Sequence, residues 1–435
     1  MDTDEMQQIF PPSITGTGAG AERSRPSVLD HAFGKGDPYT LGVEEEYMLL
    51  DPETWDLVQH IDSVLAAVED SELQDLITAE LMQSVLEVTT PVCRTAGDVY
   101  RALAQLRGYV SEIARSEGCR FGASGTHPFS LFERQRITAR DRYRKLVDQL
   151  QYIARRELIF GMHVHVAVDD PEKAIQVVNG LIAHLAELVA LSASSPFWRG
   201  EPTGLRSSRH MVFAAFPRSG PPPRFRDYAD YAQVVNQLER TGCIQDYTHI
   251  WWDIRLHPRL GTVEIRICDA VTRLEDVIAI TAYCQALVKH YAELVDRGEE
   301  IPSFHRILTT ENKWLAARYG LSAPVMDLHT GRRNRLPVAA LVRRTLQTLR
   351  PHARDLGSEE ELAGVEEILR RGNGADRQLH VFNALKAASA GGEAAGARPI
   401  DPAFGGRGDI VEVVRDIAEE TEVAPQPEPE SAAAA

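Results

Sequence analysis

The sequence predicts an α+β fold in which helices cover one side of a β-sheet. Three observations carry this expectation. Runs with period-two alternation, such as GVEEEYML, GMHVHVAV and TVEIRICDA, have the pattern of strands. Other runs carry apolar residues three and four apart, the pattern of amphipathic helices. The two kinds are interleaved without a regular β–α–β rhythm or an internal repeat, which points to helices gathered on one side of the sheet. Of the 435 residues, 43% are apolar and 25% charged, so a sizeable core is available.

Taken in order, residues 1–38 are rich in Pro, Gly, Ser and Thr with little periodicity and are expected to form a disordered N-terminal tail. The G-x-G-x-G at Gly16, Gly18 and Gly20 follows no strand, so it reads as linker and not as a dinucleotide loop. The main domain is expected over 39–388. Thr95 is placed to cap a helix through AGDVYRALAQLRGYVSEIARSEG, with Leu103, Leu106, Val110 and Ile113 on one face and Gly118 as its stop. Thr272 with Glu275, and Ser358 with Glu361, form the spacing of capping boxes before two further helices. From about 301 to 388 the pattern is mainly helical, which suggests a helical layer appended to the sheet. Residues 389–435 are acidic, low in aromatics and close in EVAPQPEPESAAAA; a low-complexity, disordered tail is expected there.

The charge balance narrows the partners. With 47 basic and 63 acidic residues the net charge is -16, which would repel nucleic acid and anionic lipid and favours small-molecule substrates. Five scattered cysteines without a C-x-x-C spacing suggest neither a disulfide framework nor a thiolate zinc site. No uninterrupted apolar run approaches the ~20 residues of a membrane span, and the first thirty residues lack a cationic start followed by an apolar core. A cytoplasmic protein that binds no membrane is the expectation; a homo-oligomer is left open.

The chemistry lies on the strands. Side chains two apart share a face of a strand. Glu44, Glu46 and Met48 therefore point one way, and Val43, Glu45, Tyr47 and Leu49 the other. The same arithmetic pairs His163 with His165, pairs Glu264 with Arg266, and puts Val85, Glu87 and Thr89 together, with Glu80 upstream. A wet polar face would show this alternation in any one strand. Four such strands are harder to explain that way, and imidazoles at i, i+2 converge well on a metal. Neighbouring glutamates repel unless a cation lies between them, so this face would be strained without bound metal. Many carboxylates and one or two imidazoles favour Mg²⁺ or Mn²⁺ before Zn²⁺.

Such ions usually hold nucleotide phosphates, and Arg266 shares a face with Glu264 from which to meet one. No G-x-x-x-x-G-K-[ST] loop or kinase signature is present, so an ATP site here would be of the metal-and-sheet kind. The arginines of RQRITARDRYRKL have the pattern of a solvated helix face. SSPFWRGEPTGLRSSR and HIWWDIRLHP combine aromatics and arginines as substrate loops do, with Trp251 and Trp252 expected in core and rim packing. His127, before a proline in ASGTHPF, is a further candidate ligand on which no assignment is placed.

These segments resemble the carboxylate–amine ligase family of glutamate–cysteine ligases, the bacterial type 2 group. LGVEEEYMLLDP, ELMQSVLEVTTPV, ASGTHPF, GMHVHVAV, SSPFWRG, IWWDIRLHPRLGTVEIRICDA and ENKWLAARYG run in family order over roughly Tyr39 to Ala388. The resemblance implies a fold similar to the catalytic domain of glutamine synthetase: an antiparallel sheet with helices on its outer face and Mg²⁺ and ATP on its inner face. It implies that Glu44, Glu46, Glu87 and Glu264 are metal ligands, with Glu80 at a further acidic position. His163 would lie beside the metals and nucleotide, as a metal ligand and catalytic residue; His165 is a further candidate for binding the nucleotide, but it departs from better-studied branches and its role stays open. Arg266 would contact the transferred phosphate. The implied reaction is ATP-dependent formation of a γ-glutamyl amide through an acyl phosphate, from glutamate or a similar acid and an amine such as cysteine. Two rivals are a metal-dependent amide hydrolase using His163 and His165, and a non-catalytic nucleotide-binding regulator. The excess of carboxylates over histidines opposes the first, and the intact glutamates oppose the second.

Overall fold

The computed structural model describes residues 30–69, 71–328, 330, 335–390 and 408–422. Seven strands form one sheet: β1 (Leu41–Leu50), β2 (Ile77–Ala79), β3 (Val85–Thr89), β4 (Arg120–Gly122), β5 (Gly161–Ala167), β6 (Ile254–His257) and β7 (Thr262–Asp269). The order is β6-β7-β5-β1-β3-β2, with β4 pairing the far end of β1, and every pairing is antiparallel. The register of β7 on β5 shifts between Ile265 and Cys268, beside Arg266. Such irregularities re-aim side chains next to functional sites.

One face of the sheet is apolar and covered by helices. Val43, Tyr47 and Leu49 of β1, Val164 and Val166 of β5, and Val263, Ile265 and Ile267 of β7 are all buried. Strand β1 packs beneath helix α1 (Ala96–Ser116), β5 beneath α2 (Leu274–Asp296), and β7 beneath the helices Pro171–Leu181 and Leu185–Ser192. Helix α2 is apolar on nearly all sides because it lies between the sheet and a second helical layer: α4 (Val338–Asp355) and α5 (Glu359–Arg371) pack on it, while α3 (Arg306–Tyr319) packs on the Leu185–Ser192 helix. Pro171–Ser192, apolar and long enough to cross a bilayer, is mostly buried in the fold.

Glu45 is the glutamate that points into this layer. Its carboxylate meets the Arg107 guanidinium of α1 twice, at 2.5 and 3.1 Å, and accepts a hydrogen bond from the Tyr47 hydroxyl at 2.5 Å. Arg107 also donates to the carbonyls of Thr272 and Val271, so the buried charges are paired and hydrogen-bonded.

The helix starts follow the expected chemistry at one site and depart from it at two. The Thr95 hydroxyl accepts from the Asp98 amide while the Asp98 carboxylate accepts from the Thr95 amide, a reciprocal cap. Helix α2 instead begins at Leu274 with Arg273 at its cap; Thr272 donates its hydroxyl proton to the Ala123 carbonyl at 2.8 Å. Ser358 occupies the cap position of α5, yet its hydroxyl accepts from the Ala96 amide and donates to Gln285, tying three helices together. In both cases a buried hydroxyl is satisfied by tertiary partners in place of its own helix.

Both expected tails contribute structure. Phe33, within 1–38, is buried, and the Ala32 amide donates to the Pro258 carbonyl. Within 389–435, helix α6 (Gly408–Thr421) packs on β4 with Ile410, Val413, Val414 and Ile417 buried. Glu422 then binds Arg120 at 2.6 Å and Arg115 at 2.7 Å. The expectation of a wholly disordered tail is corrected there. The acidic composition conceals apolar residues at i, i+3, i+4 and i+7, the spacing of a docking helix. Gly16, Gly18, Gly20 and the terminal EVAPQPEPESAAAA run, apart from Glu422, lie outside the described residues.

Candidate active site

The other face of the sheet carries the ionisable groups. Across the β1–β5 pair Glu44 stands opposite His163; across β1–β3 Glu46 stands opposite Glu87. His165 of β5 stands opposite Glu264 of β7, which in turn stands opposite Arg255 of β6. Antiparallel registry thus turns four separate period-two patterns into one surface. That surface forms the floor of a cavity of about 290 Å³. Glu44, Glu46, Glu80, Glu87, Glu264, His163, His165 and Arg266, all expected from the sequence, line it together.

Two groups of side chains converge to within 4.8 Å: Glu44, Glu87 and His163, and Glu44, His165 and Glu264. Glu44 belongs to both. Burial alone would raise its carboxyl, but His163 and His165 outweigh burial and hold it well below the usual carboxylate range. The His163 Nδ1 lies 2.8 Å from Glu44 Oε2. Burial and the nearby Arg266 push His163 down to about 4, so the imidazole is neutral at pH 7, as a ligand must be.

The remaining glutamates are short of positive partners. Burial and the Glu80 charge push Glu46 up to about 7. Burial, with Glu80, Glu44 and Glu46 as neighbours, raises Glu87 well above the ordinary range. Among the described residues no Lys or Arg lies within 4.0 Å of Glu46, Glu80 or Glu87. They receive single neutral donors: the Gly161 amide on Glu46 at 2.5 Å, the Leu81 amide on Glu80 at 3.1 Å, and the Thr78 hydroxyl on Glu87 at 3.2 Å. His165 Nε2 lies 3.3 Å from Glu44 Oε1, on the opposite side of that carboxylate from His163, while its Nδ1 is held by Thr262 at 3.0 Å. A repelling set of carboxylates fits hard divalent cations, Mg²⁺ or Mn²⁺, with one imidazole in each converging group.

Glu264 differs. Burial opposes its charge, but Arg255 and Arg266 hold it ionised, well below the usual range. Arg255 reaches it in a two-pronged pair at 2.5 and 3.2 Å, and Arg266 Nη1 completes the clamp. Arg266 keeps a buried Nε without a partner.

Alternation alone did not identify Glu157, Arg142, Arg209 and Arg255, which also line the cavity. Glu157 precedes β5 in irregular backbone, where period two carries no information, and Arg142 belongs to the exposed arginine run. Arg255 lies on β6, two residues before His257, so the same pattern that paired Glu264 with Arg266 was available to find it. Arg209 ends the loop that begins at Ser194. Asp269, at the end of β7, anchors that loop by accepting from the Ser194 amide at 3.0 Å, Ser195 Oγ at 2.7 Å and Ser207 Oγ at 2.8 Å. Arg209 packs so closely over β5 that a Cβ on Gly161 would lie 2.4 Å from its guanidinium. His127 is elsewhere, buried with its ring held by the Trp55 carbonyl and the amides of Phe129 and Ser130. Trp251 packs edge-on to Phe216 and lines the cavity wall, and Trp252 packs on Phe225.

The family model described as glutamate-cysteine ligase family 2 (GCS2) matches residues 40–398. A Rubrobacter xylanophilus protein named "Putative glutamate--cysteine ligase 2-1" is 44% identical over 344 residues, covering 79% of this chain and 90% of its own. A similarly named Solibacter usitatus protein is 41% identical, with 79% and 89% coverage. Among solved structures, a Francisella tularensis glutamate–cysteine ligase in complex with AMP aligns with a TM-score of 0.58 at 13% identity, covering 89% of this chain and 90% of that one. A bifunctional glutathione synthetase from Pasteurella multocida aligns with a TM-score of 0.60 at 14% identity, covering 88% and 53%. These two likenesses concern the fold. By the match of family model and relatives over most of its length, the chain belongs to glutamate–cysteine ligase family 2.

Proposed function

We propose that the protein is an ATP-dependent carboxylate–amine ligase that joins the γ-carboxylate of glutamate, or a similar acid, to an amine. The observation that carries this reading is the convergence of Glu44, Glu46, Glu80, Glu87 and Glu264 with two histidines and Arg266 in one cavity of a ligase-family fold. Bound Mg²⁺, held by Glu44, Glu87 and His163 and by Glu44, His165 and Glu264, would supply charge neutralisation for the nucleotide phosphates.

The chain's own residues account for the rest. The γ-phosphoryl group of ATP passes to the acid's carboxylate, giving ADP and an acyl phosphate; amine attack then forms the amide and releases phosphate and a proton. Arg266, clamped on Glu264 and lining the cavity, would meet the transferred phosphoryl oxygens. Arg209 brings a second guanidinium to the cavity from the opposite loop and counters the excess acid. Neutral His163 and ionised Glu44 fix each other's orientation and protonation.

Incubation of purified protein with Mg²⁺, ATP and glutamate against a panel of amines, following ADP release and product mass, tests the reading. Amine-dependent ADP with a γ-glutamyl product is expected. Amide cleavage without ATP would support the hydrolase, and tight nucleotide binding without turnover would support a regulator.

A further inference from the structure

Helix α6 lies beyond the family match, which covers residues 40–398. Two kinds of contact dock it. Ile410, Val413, Val414 and Ile417 are buried, and its C-terminal end is held by ion pairs: Glu420 with Arg273 and Arg377, and Glu422 with Arg115 and Arg120. Between these glutamates Thr421 points inward and is only 1% exposed. Its hydroxyl accepts from the Ala123 amide at 3.0 Å and donates to the Ile417 carbonyl at 2.7 Å. A valine would fill the same space and bury as well, so docking alone does not call for that hydroxyl. Its distinct effect is to satisfy the buried Ala123 amide.

The segment that begins at Ala123 touches two parts of the active site. Ser124 Oγ donates to the Ser194 carbonyl at 2.5 Å, and the Gly125 amide donates to Ser194 Oγ at 2.9 Å. Ser194 opens the loop that Asp269 anchors and that ends in Arg209. On the other side, the Gly125 carbonyl accepts from the Phe160 amide at 3.0 Å. The next residue, Gly161, starts β5 and donates its amide to Glu46. The fit is close: a Cβ on Gly125 would lie 2.6 Å from the Asp269 carboxylate. In so tightly packed an interior a small movement of Ala123–Gly125 is passed on to both neighbours.

We infer that Thr421 is a positioning residue for the active site. By holding the Ala123 amide it fixes the Ala123–Gly125 segment, which sets Glu46 through Phe160 and Gly161, and Arg209 through Ser194 and Asp269. Helix α6 therefore does more than cover β4: catalysis in this chain draws on a segment outside the family match. The inference rests on the ligase reading for what Glu46 and Arg209 act upon, but the positioning itself is measurable without turnover.

The full chain is compared as wild type, Thr421→Val, Thr421→Ser and Ile417→Ala, by ADP release per folded molecule, urea denaturation and the amide NMR signals of Phe160 and Gly161. In Thr421→Val, kcat should fall about tenfold while the KM for the amine moves less than about twofold, because reacting groups are misplaced and not removed. The Phe160 and Gly161 signals should shift upfield as their hydrogen bonds lengthen. Thr421→Ser should restore both readings. Ile417→Ala opens a cavity under α6 and should lower the urea midpoint at least as far, yet leave kcat per folded molecule and both signals unchanged. Thr421→Ala repeats the comparison should the valine variant not fold. Unchanged kcat or unmoved signals in the variants lacking the hydroxyl, or an equal loss of kcat in Ile417→Ala, overturns the inference and leaves the ligase reading standing. Absence of ADP release in the wild type overturns the ligase reading, and the two amide signals then decide the positioning alone.

Discussion

Glu44 and His163 face each other across the β1–β5 pair, with Glu44 Oε2 2.8 Å from His163 Nδ1. The contact fixes an ionised carboxylate beside a neutral imidazole, and Glu44 is shared by both groups of converging ligand atoms.

Glu44→Gln removes the shared charge while keeping the side chain's shape. ADP release should fall at least about a hundredfold, beyond the 10–100-fold typical of supporting residues around a metal. Circular dichroism should match the wild type. Full activity in this variant would refute the assignment of Glu44 as a ligand.

The crowded acids predict a pH signature in metal-free protein. Glu46 rises to about 7 in the fold from an ordinary value of about 4.3. Between these values the folded chain holds a proton that the unfolded chain has lost, so this stabilisation is full below the lower value and is lost as pH rises through 7. The melting temperature in chelator should therefore fall from pH 5.5 to pH 8. Mg²⁺ or Mn²⁺ at about a hundred times its dissociation constant should restore about 2.7 kcal/mol. Differential scanning calorimetry reads both effects; a flat profile with no metal response would contradict the account.

Glu45 separates the two faces of β1. Arg107→Ala strands its carboxylate in the helical layer and should destabilise by about 3–5 kcal/mol in urea denaturation. Because Glu45 points away from the cavity, Glu45→Gln should retain most ADP release per folded molecule.

Deletion of residues 408–435 uncovers β4 and the partners of Ile410, Val413, Val414 and Ile417. At about 1.5–3 kcal/mol per buried side chain, the loss should amount to several kcal/mol, visible as a lower urea midpoint.

Much of this site is legible from period two alone. Once GVEEEYML, GMHVHVAV and TVEIRICDA are strands, the faces of Glu44, Glu46, His163, His165, Glu264 and Arg266 follow from geometry. What alternation does not carry is which strands are neighbours, and therefore that Glu44 meets His163 while Glu46 meets Glu87. Glu157 and Arg209 come from loops, where no periodicity marks a face; Arg209 is placed by Asp269, whose serine partners are distant in sequence. Thr272 and Ser358 have capping-box spacing but serve tertiary contacts, because a local motif does not reveal a stronger partner across the fold. Helix α6 was hidden by composition: acidic, alanine-rich flanks mask the four-residue apolar stripe that docks it.

The central claim is that these carboxylates gather divalent ions for nucleotide chemistry. Anomalous diffraction from crystals soaked in Mn²⁺ with a non-hydrolysable ATP analogue tests it most directly. The account predicts manganese peaks between Glu44, Glu87 and His163 and between Glu44, His165 and Glu264, both absent in Glu44→Gln. Bound nucleotide with no manganese on these side chains would contradict it.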